Sequence, residues 1–291
     1  MKLKQKLSKA KYLLRSIANF NQKKICPFCA SKRYKVVDRK YFFTSLLKCN
    51  DCGLQYRFPK DTKEFLIQFY QTEYSVDVHM MTNLPSENEL KGLMEDNFSG
   101  LRNYSKYIKA INSNQNIHVL DYGCSWGYSI FQLKNAGYDA RGFEVSVPRA
   151  LYGKKLNVEI VTNHDGILNN NDVILSSHVI EHLSDINDFI DIARKKLTRE
   201  GAMMIFCPNG APEYRKREPE LFHVNWGFIH PNYLHPNFVA NAFKNNPYLI
   251  LTGDWDFDET NILNWDRRSQ IIHEKRDGKE LLFIVYPNIK I

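Results

Sequence analysis

Four cysteines form two closely spaced pairs near the start of the chain. The pairs are Cys26-x-x-Cys29 and Cys49-x-x-Cys52, and nineteen residues separate them. This spacing is typical of a tetrahedral zinc site with four thiolate ligands. Bound zinc would supply folding energy that a unit of about 30 residues lacks, so we expect a structural role for the metal. An iron centre and a pair of redox dithiols are the alternatives.

A second group of residues follows an apolar run that ends in a carboxylate. Asp121 is followed by Gly123 and Gly127, and Ser125 stands between the two glycines. Glycine allows a tight turn and a close approach of the backbone to a ligand, and a helix N-terminus favours negative charge. The spacing is GxxxG rather than the GxGxxG of dinucleotide-binding proteins. Ser125 is small enough to keep the turn, provided that its φ stays negative.

Further polar residues come at the ends of the next predicted strands. Glu144 lies 23 residues after Asp121, at the end of the second strand. An acid at about this distance accepts hydrogen bonds from ribose hydroxyls. Asp165 follows the third strand, and His178 follows the fourth, where it would close the pocket. The pattern therefore predicts a nucleotide site at one edge of a sheet.

The segment from His178 to His182 matches HxxEH, a pattern of zinc peptidases. Peptidase chemistry needs both histidines on one helix face, and a strand directly before His178 argues against that geometry. We expect His182 to be a catalytic base, because imidazole titrates near neutral pH and His182 faces the nucleotide edge. A long insertion after the fifth predicted strand, residues 211–236, holds three more histidines that are either substrate contacts or hydrogen-bonded structural groups: His223, His230 and His235.

Apolar spacing predicts the elements that position these groups. From residue 117, short apolar strands alternate with helices, which predicts a doubly wound, mostly parallel seven-stranded sheet with helices on both faces. Its ligand crevice should lie at the carboxyl ends of the strands. A single helix is expected from Glu87 to Ile111, with Ser86 and Glu89 as a capping box. The predicted strands are 117–121, 140–144, 158–162, 173–176, 202–207, 248–252 and 281–286.

Charge is distributed unevenly along the 291 residues. Residues 1–37 hold eleven Lys or Arg and no acid, whereas residues 38–291 hold 29 basic and 32 acidic side chains, a net charge of −3. The catalytic body is therefore near neutral, and any anionic partner belongs to the N-terminal arm. In that arm, an apolar stripe along residues 2–20 predicts a helix that either lies on an anionic membrane surface or docks on the protein's own body. The stripe consists of Leu3, Leu7, Ala10, Leu14 and Ile17.

Four regions follow from these patterns. We expect a basic amphipathic helix in 1–25, a zinc ribbon in 26–60, a helical linker region in 61–112 and a catalytic domain in 113–291. The sequence shows neither a secretion signal nor an apolar run of the roughly 18–20 residues that a membrane span needs. Paired cysteines without such a signal predict a reducing compartment, the cytoplasm.

Together, these residues resemble class I S-adenosylmethionine (SAM)-dependent methyltransferases of type 11/23, over about residues 117–286. The family's first motif typically reads D-x-G-x-G-x-G, and Ser125 replaces its middle glycine. The resemblance implies a Rossmann-like fold with SAM as cofactor. It implies that Asp121 and the glycine loop hold the methionine part, Glu144 the ribose and Asp165 the adenine. The matching segments are Asp121-x-Gly123-x-x-x-Gly127, Glu144, Asp165, Glu181-His182-Leu183 and Pro208-Asn209.

Some bacterial methyltransferases resemble the whole arrangement, with a cysteine ribbon and then a short helix ending in paired tyrosines, here Tyr70 and Tyr74. Several of them are associated with surface polysaccharides or secondary metabolites. The resemblance implies a small-molecule or sugar acceptor, with oxygen as the expected methylated atom. The alternative is an RNA or protein methyltransferase that docks its substrate through the ribbon and the basic arm. A third hypothesis is a non-catalytic nucleotide-binding protein.

Overall fold

The computed structural model describes residues 12–72, 84–227 and 230–291. The first eleven residues of the predicted basic helix lie outside the described residues, as do residues 73–83 of the predicted helical linker region, which include Tyr74. Within the described ranges, no helix is both long and apolar enough to cross a bilayer.

Strands and short helices, numbered in chain order, make up most of the described ranges. The strands are β1 (Tyr34–Lys40), β2 (Thr44–Cys49), β3 (Gln55–Phe58), β4 (His118–Tyr122), β5 (Asp139–Phe143), β6 (Ile160–Val161), β7 (Asn171–Ser177), β8 (Leu197–Pro208), β9 (Asn232–Tyr233), β10 (Tyr248–Gly253), β11 (Gln270–Ile272) and β12 (Glu280–Val285). The helices are α1 (residues 12–18), α2 (Lys63–Thr72), α3 (Glu87–Glu95), α4 (Ser105–Ile111), α5 (Tyr128–Asn135), α6 (Val147–Tyr152), α7 (Ile186–Lys196), α8 (Pro212–Arg217), α9 (Pro219–Asn225), α10 (Pro236–Ala242) and α11 (Thr260–Leu263).

The central sheet has the order β11-β10-β12-β8-β7-β4-β5-β6. Neighbouring strands from β6 to β8 are parallel, and β12 is antiparallel to both β8 and β10. This is the expected doubly wound, Rossmann-like architecture. The prediction of seven strands was wrong, because three residues of β11 pair in parallel with the edge of β10. So short a strand, with two of its three residues exposed, carries too little apolar pattern to be recognised.

Strand β8 shows how the sheet separates two apolar layers. Met203, Ile205 and Cys207 pack in one layer together with α7 and α10. The alternate residues Met204 and Phe206 pack in the other layer, with α4 and α5. Because side chains of a strand point alternately to opposite faces, a strand buried on both faces reads as a continuous apolar run. Helices therefore cover both faces of the sheet, as the sequence predicted.

The helix expected from Glu87 to Ile111 is divided into α3 and α4. The capping box at Ser86 and Glu89 is present at the start of α3. Asn97 and Phe98 then adopt positive φ angles of 54° and 55°, which ends the helical path. Phe98 is fully buried and packs edge-on against Trp126. Burying this ring in the core beneath the glycine loop is more favourable than continuing the helix. Helical periodicity in the sequence does not show which of the two is more favourable.

The cysteine region forms a second, antiparallel sheet in the order β1-β2-β3-β9. Strand β9 comes from the insertion after β8, so the insertion and the cysteine region share one sheet. The side-chain Nε2 of Gln55 in β3 donates a hydrogen bond to the Gly210 carbonyl oxygen at 2.5 Å. The insertion also shares an apolar cluster with β2, made of Leu46, Tyr214, Phe222, Trp226 and Tyr233. The cysteine sheet therefore supports the insertion from one side.

The described part of the basic helix contacts the body through a different face from the expected apolar stripe. In α1, Tyr12 and Ser16 are buried, and the Nε atom of Arg15 lies 2.5 Å from Oδ1 of Asp61. Leu14 and Ile17 of the stripe are 68% and 54% exposed. Residues 12–18 thus form a helix that contacts the body, and the two described residues of the stripe, Leu14 and Ile17, point away from it.

Candidate active site and metal centre

The candidate active site begins above β4, where the strand order reverses. Strand β4 has β5 on one side and β7 on the other, and such a switch point opens a crevice at the carboxyl ends. Gly123 and Gly127 have φ angles of +83° and +87°. A Cβ atom on Gly123 would lie 2.3 Å from Cγ2 of Val179, and one on Gly127 would lie 2.8 Å from Cγ2 of Val158. Both positions therefore need glycine, as the sequence predicted.

Ser125 corrects one expectation about the loop. Its φ is 54°, in the left-handed region that the sequence argument required it to avoid. This conformation costs a non-glycine residue about 1–2 kcal/mol. Two hydrogen bonds hold it: the Ser125 amide donates to Oε2 of Glu144 at 2.9 Å, and Nη1 of Arg149 donates to Oγ at 2.7 Å. Serine thus takes the conformation of the missing glycine because its neighbours bind both of its polar groups.

Glu144 follows β5 and is buried beside the glycine loop. Its Oε1 accepts from the Ser146 amide at 2.7 Å, and its Oε2 accepts from the Ser125 amide. Burial raises the pKa of Glu144. The hydrogen bonds from the two amides and the charge of Arg149 act in the opposite direction. A carboxylate has about four acceptor sites, so two remain for the hydroxyls of a ribose. Arg149, fully buried at the start of α6, was missed because an arginine on a short helix reads as a surface residue.

Asp121 is buried at the end of β4, and it accepts a hydrogen bond from the hydroxyl of Ser129. Burial raises its pKa to about 7, the Ser129 bond opposes this shift, and the charge of Glu144 adds to it. Two buried carboxylates in one crevice favour a positively charged ligand, which would lower both pKa values.

Asp165 lies in a 3-10 helix, His164–Gly166, that follows β6 at the same edge of the sheet. Its side chain is exposed. The neighbouring His164 ring stacks on Tyr122 with ring centroids 5.9 Å apart, and its Nε2 lies 3.0 Å from the Tyr122 hydroxyl. Asp165 is thus placed at the rim, where it can reach a ligand that extends from the crevice.

His178 is held between two carboxylates. Its Nδ1 lies 3.2 Å from Oε1 of Glu181, and its Nε2 lies 3.2 Å from Oε1 of Glu280. Burial disfavours the charge, but the two carboxylates outweigh burial and raise the pKa of His178 to about 10. Glu280 is also paired with Arg102 at 2.6 Å. This histidine is therefore a fixed cation beside the crevice, with a φ of 55°.

His182 ends a single 3-10 turn, Ile180–His182, that follows β7. This turn is too short to align two histidines on one helix face, which agrees with the sequence argument against a peptidase. The His182 ring lies 4.7 Å from the ring of His230 and 6.3 Å from that of Tyr70, measured between centroids. The base candidate from the sequence is thus brought together with one histidine of the insertion.

The two other histidines of the insertion have structural contacts. Nδ1 of His223 lies 2.8 Å from Oδ2 of Asp38. His235 caps α10 by accepting from the Asn237 amide at 2.9 Å, and burial lowers the pKa of His235 to about 3. His230 alone of the three joins His182, a distinction that requires the fold of the insertion.

The four predicted metal ligands lie together. Sγ of Cys26 is 3.6 Å from Sγ of Cys52, and Sγ of Cys29 is 3.5 Å from Sγ of Cys49. All four sulfur atoms lie within 4.8 Å of one another, and no disulfide joins them. Tetrahedral zinc with bonds of about 2.3 Å separates its sulfur ligands by about 3.8 Å, so this donor set fits the ion.

The switch-point crevice, the glycine loop and the buried acid after β5 define a Rossmann-like nucleotide-binding enzyme. The model of a methyltransferase-domain family, type 23, matches residues 101–246. The chain belongs to this family, and it is a SAM-dependent methyltransferase.

The chain is similar to several solved structures of methyltransferases. A SAM-dependent methyltransferase of Thermotoga maritima is 14% identical, covers 69% of this chain and 95% of its own, and has a TM-score of 0.42. The plantazolicin methyltransferase BamL is 14% identical, covers 78% and 97%, and has a TM-score of 0.49. A SAM-dependent methyltransferase of Archaeoglobus fulgidus is 15% identical, covers 69% and 99%, and has a TM-score of 0.43. No curated protein matches the sequence.

Proposed function

We propose that this enzyme transfers the methyl group of SAM to a hydroxyl oxygen of a small molecule or a sugar precursor. The observation that carries the proposal is the pair of imidazoles, His182 and His230, on the turn after β7 and on the insertion. Burial lowers the pKa of His230 to about 4, so this ring is neutral at pH 7. A neutral imidazole can accept the proton that a hydroxyl loses.

The crevice residues fit SAM as the methyl donor, which carries its methyl group on a positively charged sulfur. Glu144 would hold the ribose hydroxyls, and Asp121 with the glycine loop would hold the cationic methionine part. Asp165 would reach the adenine from the rim, and His178 would border the crevice. Because the methyl group is already activated, the protein's task is to position the acceptor oxygen and remove its proton.

A small acceptor suits the surroundings of the imidazole pair better than RNA or protein does. The insertion packs against the cysteine sheet through β9 and the cluster around Trp226. Just before β1, the exposed Arg33 is paired with Asp51, which reduces the free positive charge of the cysteine region. These contacts support a division into a zinc ribbon at 26–60 and a catalytic domain at 113–291. The ribbon would hold in place the insertion that lines the acceptor site.

The His182→Asn variant tests whether His182 removes the proton of the acceptor hydroxyl. Removal of a general base costs about 100- to 10,000-fold in rate, so turnover should fall by that factor while SAM affinity stays within about twofold. Formation of S-adenosylhomocysteine is measured with free sugars, sugar nucleotides, phenols and bulk RNA as acceptor probes. His223→Gln is the matched control, since His223 contacts Asp38 away from the imidazole pair. Activity with RNA alone, or a fully active His182→Asn enzyme, would contradict the proposal.

Asp121 gives a pH dependence for cofactor binding. Its pKa of about 7 means that it gains a proton as the pH falls from 8 to 6 and then no longer attracts a cation. SAM affinity should therefore fall by up to about tenfold over this interval, as linkage between one proton and one ligand requires. Calorimetry at several pH values measures the effect. Asp121→Asn should bind SAM weakly with a flat profile, and a flat wild-type profile would refute the role of Asp121.

A further inference from the structure

A second cluster of metal-ligating side chains lies outside the four cysteines. Glu181, His182 and His230 each offer one ligand atom, and these atoms lie within 4.8 Å of one another. A metal ion with bonds of about 2.1 Å separates ligands at tetrahedral angles by about 3.4 Å. Shifts of about 1 Å would thus close the three groups around an ion. The cluster joins the turn after β7 to the insertion.

The carboxylate of Glu181 has too few partners for its burial. Its side chain is 0% exposed, and its Oε2 has no hydrogen-bond donor among the described residues. Its ion-pair contact is Nδ1 of His178, 3.2 Å from Oε1. An ionised carboxylate is costly to bury unless charges and hydrogen bonds surround it, and a bound cation would satisfy Oε2.

His230 is oriented as metal-binding histidines usually are. Its Nδ1 lies 2.5 Å from the carbonyl oxygen of Asn225, and since a carbonyl only accepts, Nδ1 carries the hydrogen. In the neutral ring, Nε2 therefore keeps its lone pair. A backbone carbonyl that binds the second ring nitrogen fixes the tautomer and raises the basicity of the ligand. Asn232 in turn fastens the turn after β7, because its Nδ2 donates to the Leu183 carbonyl oxygen at 2.6 Å.

We propose that Glu181, His182 and His230 bind a divalent transition-metal ion, separately from the zinc of the four cysteines. Two imidazoles and one carboxylate suit Mn²⁺, Fe²⁺, Co²⁺ or Zn²⁺ and disfavour Mg²⁺ and Ca²⁺, which prefer oxygen ligands. Three protein ligands leave at least one coordination position open for an oxygen from outside the chain.

The open coordination position of this ion takes the acceptor oxygen. This part of the inference rests on the proposed function and on the location of the ion. Val179, in the same turn as Glu181, contacts the backbone of Gly123 in the glycine loop. A metal-bound hydroxyl loses its proton to water more readily. The oxygen then bonds to the methyl carbon as the carbon–sulfur bond breaks, which leaves the ether and the thioether. When the metal is bound, His182 and His230 are ligands rather than proton acceptors, and water takes the proton in place of the imidazole.

Binding of Mn²⁺ to the zinc-loaded full-length protein, followed by electron paramagnetic resonance, tests the proposal. Thiolates select softer metals, so Mn²⁺ reports the new site without displacing zinc from the cysteines. We expect one Mn²⁺ per chain, and at least tenfold weaker binding in both Glu181→Gln and His230→Gln. The matched controls are Glu220→Gln and His223→Gln on α9, which should bind Mn²⁺ as the wild type does. Thermal unfolding of each variant establishes that it is folded.

Two outcomes would overturn the metal site: no saturable binding of Mn²⁺ or Co²⁺ by folded protein, or equal binding by the wild type and both cluster variants. SAM affinity, measured on the same samples, separates this result from the proposed function. Protein that binds SAM but no Mn²⁺ refutes the metal site alone. Protein that binds Mn²⁺ through the cluster but turns over no hydroxyl acceptor supports the site and refutes the proposed function.

Discussion

Glu144→Gln should weaken the binding of SAM by about 10- to 100-fold. The amide keeps one acceptor oxygen and loses the negative charge. One hydrogen bond to a charged group contributes about 1.5–3 kcal/mol. A loss of this free energy corresponds to a dissociation constant that is about 10- to 100-fold higher. Isothermal titration calorimetry measures the dissociation constant directly, without knowledge of the methyl acceptor.

Stability should fall by only about 1–3 kcal/mol in this variant, so the protein stays folded and the result is interpretable. Burial raises the pKa of Glu144, so the folded protein disfavours the ionised form and tolerates a neutral amide. The side-chain oxygen of glutamine can still accept from one of the two amides, either Ser125 or Ser146. A large drop in the melting temperature would instead show that Glu144 serves mainly to hold the loop.

Glu159→Gln is the matched control for the loss of one negative charge. Glu159 is exposed, lies just before β6, and is 3.5 Å from Nε of Arg141. Exposed pairs of this kind contribute at most about 1 kcal/mol to stability, so both SAM affinity and melting temperature should match the wild type. If folded Glu144→Gln also binds SAM like the wild type, then Glu144 does not hold the ribose.

The sequence predicted the parallel part of the sheet because its signal is local. Strands β4, β5 and β7 are short, apolar and separated by helices, and the glycines sit at turns that only glycine fits. Since such a sheet has its ligand crevice at the carboxyl ends, the order of Asp121, Glu144 and Asp165 along the chain was enough to place them at one edge.

Long-range contacts decided the features that the sequence missed. The left-handed φ of Ser125 depends on Arg149 and Glu144, which are 24 and 19 residues away along the chain. The meeting of His182 with His230 depends on how the insertion folds onto the cysteine sheet. Strand β9 has two residues, too few for any periodicity. Local pattern thus predicted which residues lie at the carboxyl edge of the sheet, and tertiary packing determined the meeting of the two imidazoles.

We propose that the four cysteines hold a structural zinc ion, whose loss should destabilise the whole chain. Cys26, Cys49 and Cys52 are buried in the same apolar cluster as Ile205 of β8 and Phe238 of α10. Structural zinc sites contribute about 10–16 kcal/mol of apparent binding energy, and a typical domain is stable by only about 5–15 kcal/mol. The ion is therefore expected to be an integral part of the folded state.

Hydrogen bonds between the cysteine region and the catalytic body would carry this loss of stability into the catalytic body. Asn241 of α10 donates to the Cys52 carbonyl oxygen at 3.2 Å, and Asn187 of α7 donates to the Phe28 carbonyl oxygen at 2.9 Å. The Arg57 amide of β3 donates to the Pro231 carbonyl oxygen at 2.7 Å. When the ligand turns lose their metal, the two asparagines lose ordered acceptors at Cys52 and Phe28, and the Pro231 carbonyl oxygen of the insertion loses an ordered donor.

Cys49→Ser should therefore lower the zinc content by one equivalent per chain and the melting temperature by more than about 10 °C, since each kcal/mol shifts it by about 2–4 °C in a chain of this size. Cys207→Ser is the matched control, because Cys207 is equally buried in the same cluster but lies outside the four ligands. It should keep all of its zinc and lose only the about 1–3 kcal/mol that a buried hydroxyl costs. Elemental analysis and calorimetric melting measure both quantities. A zinc-free Cys49→Ser protein that melts with the wild type would show that the ribbon folds without its ion, and the metal would then need another role.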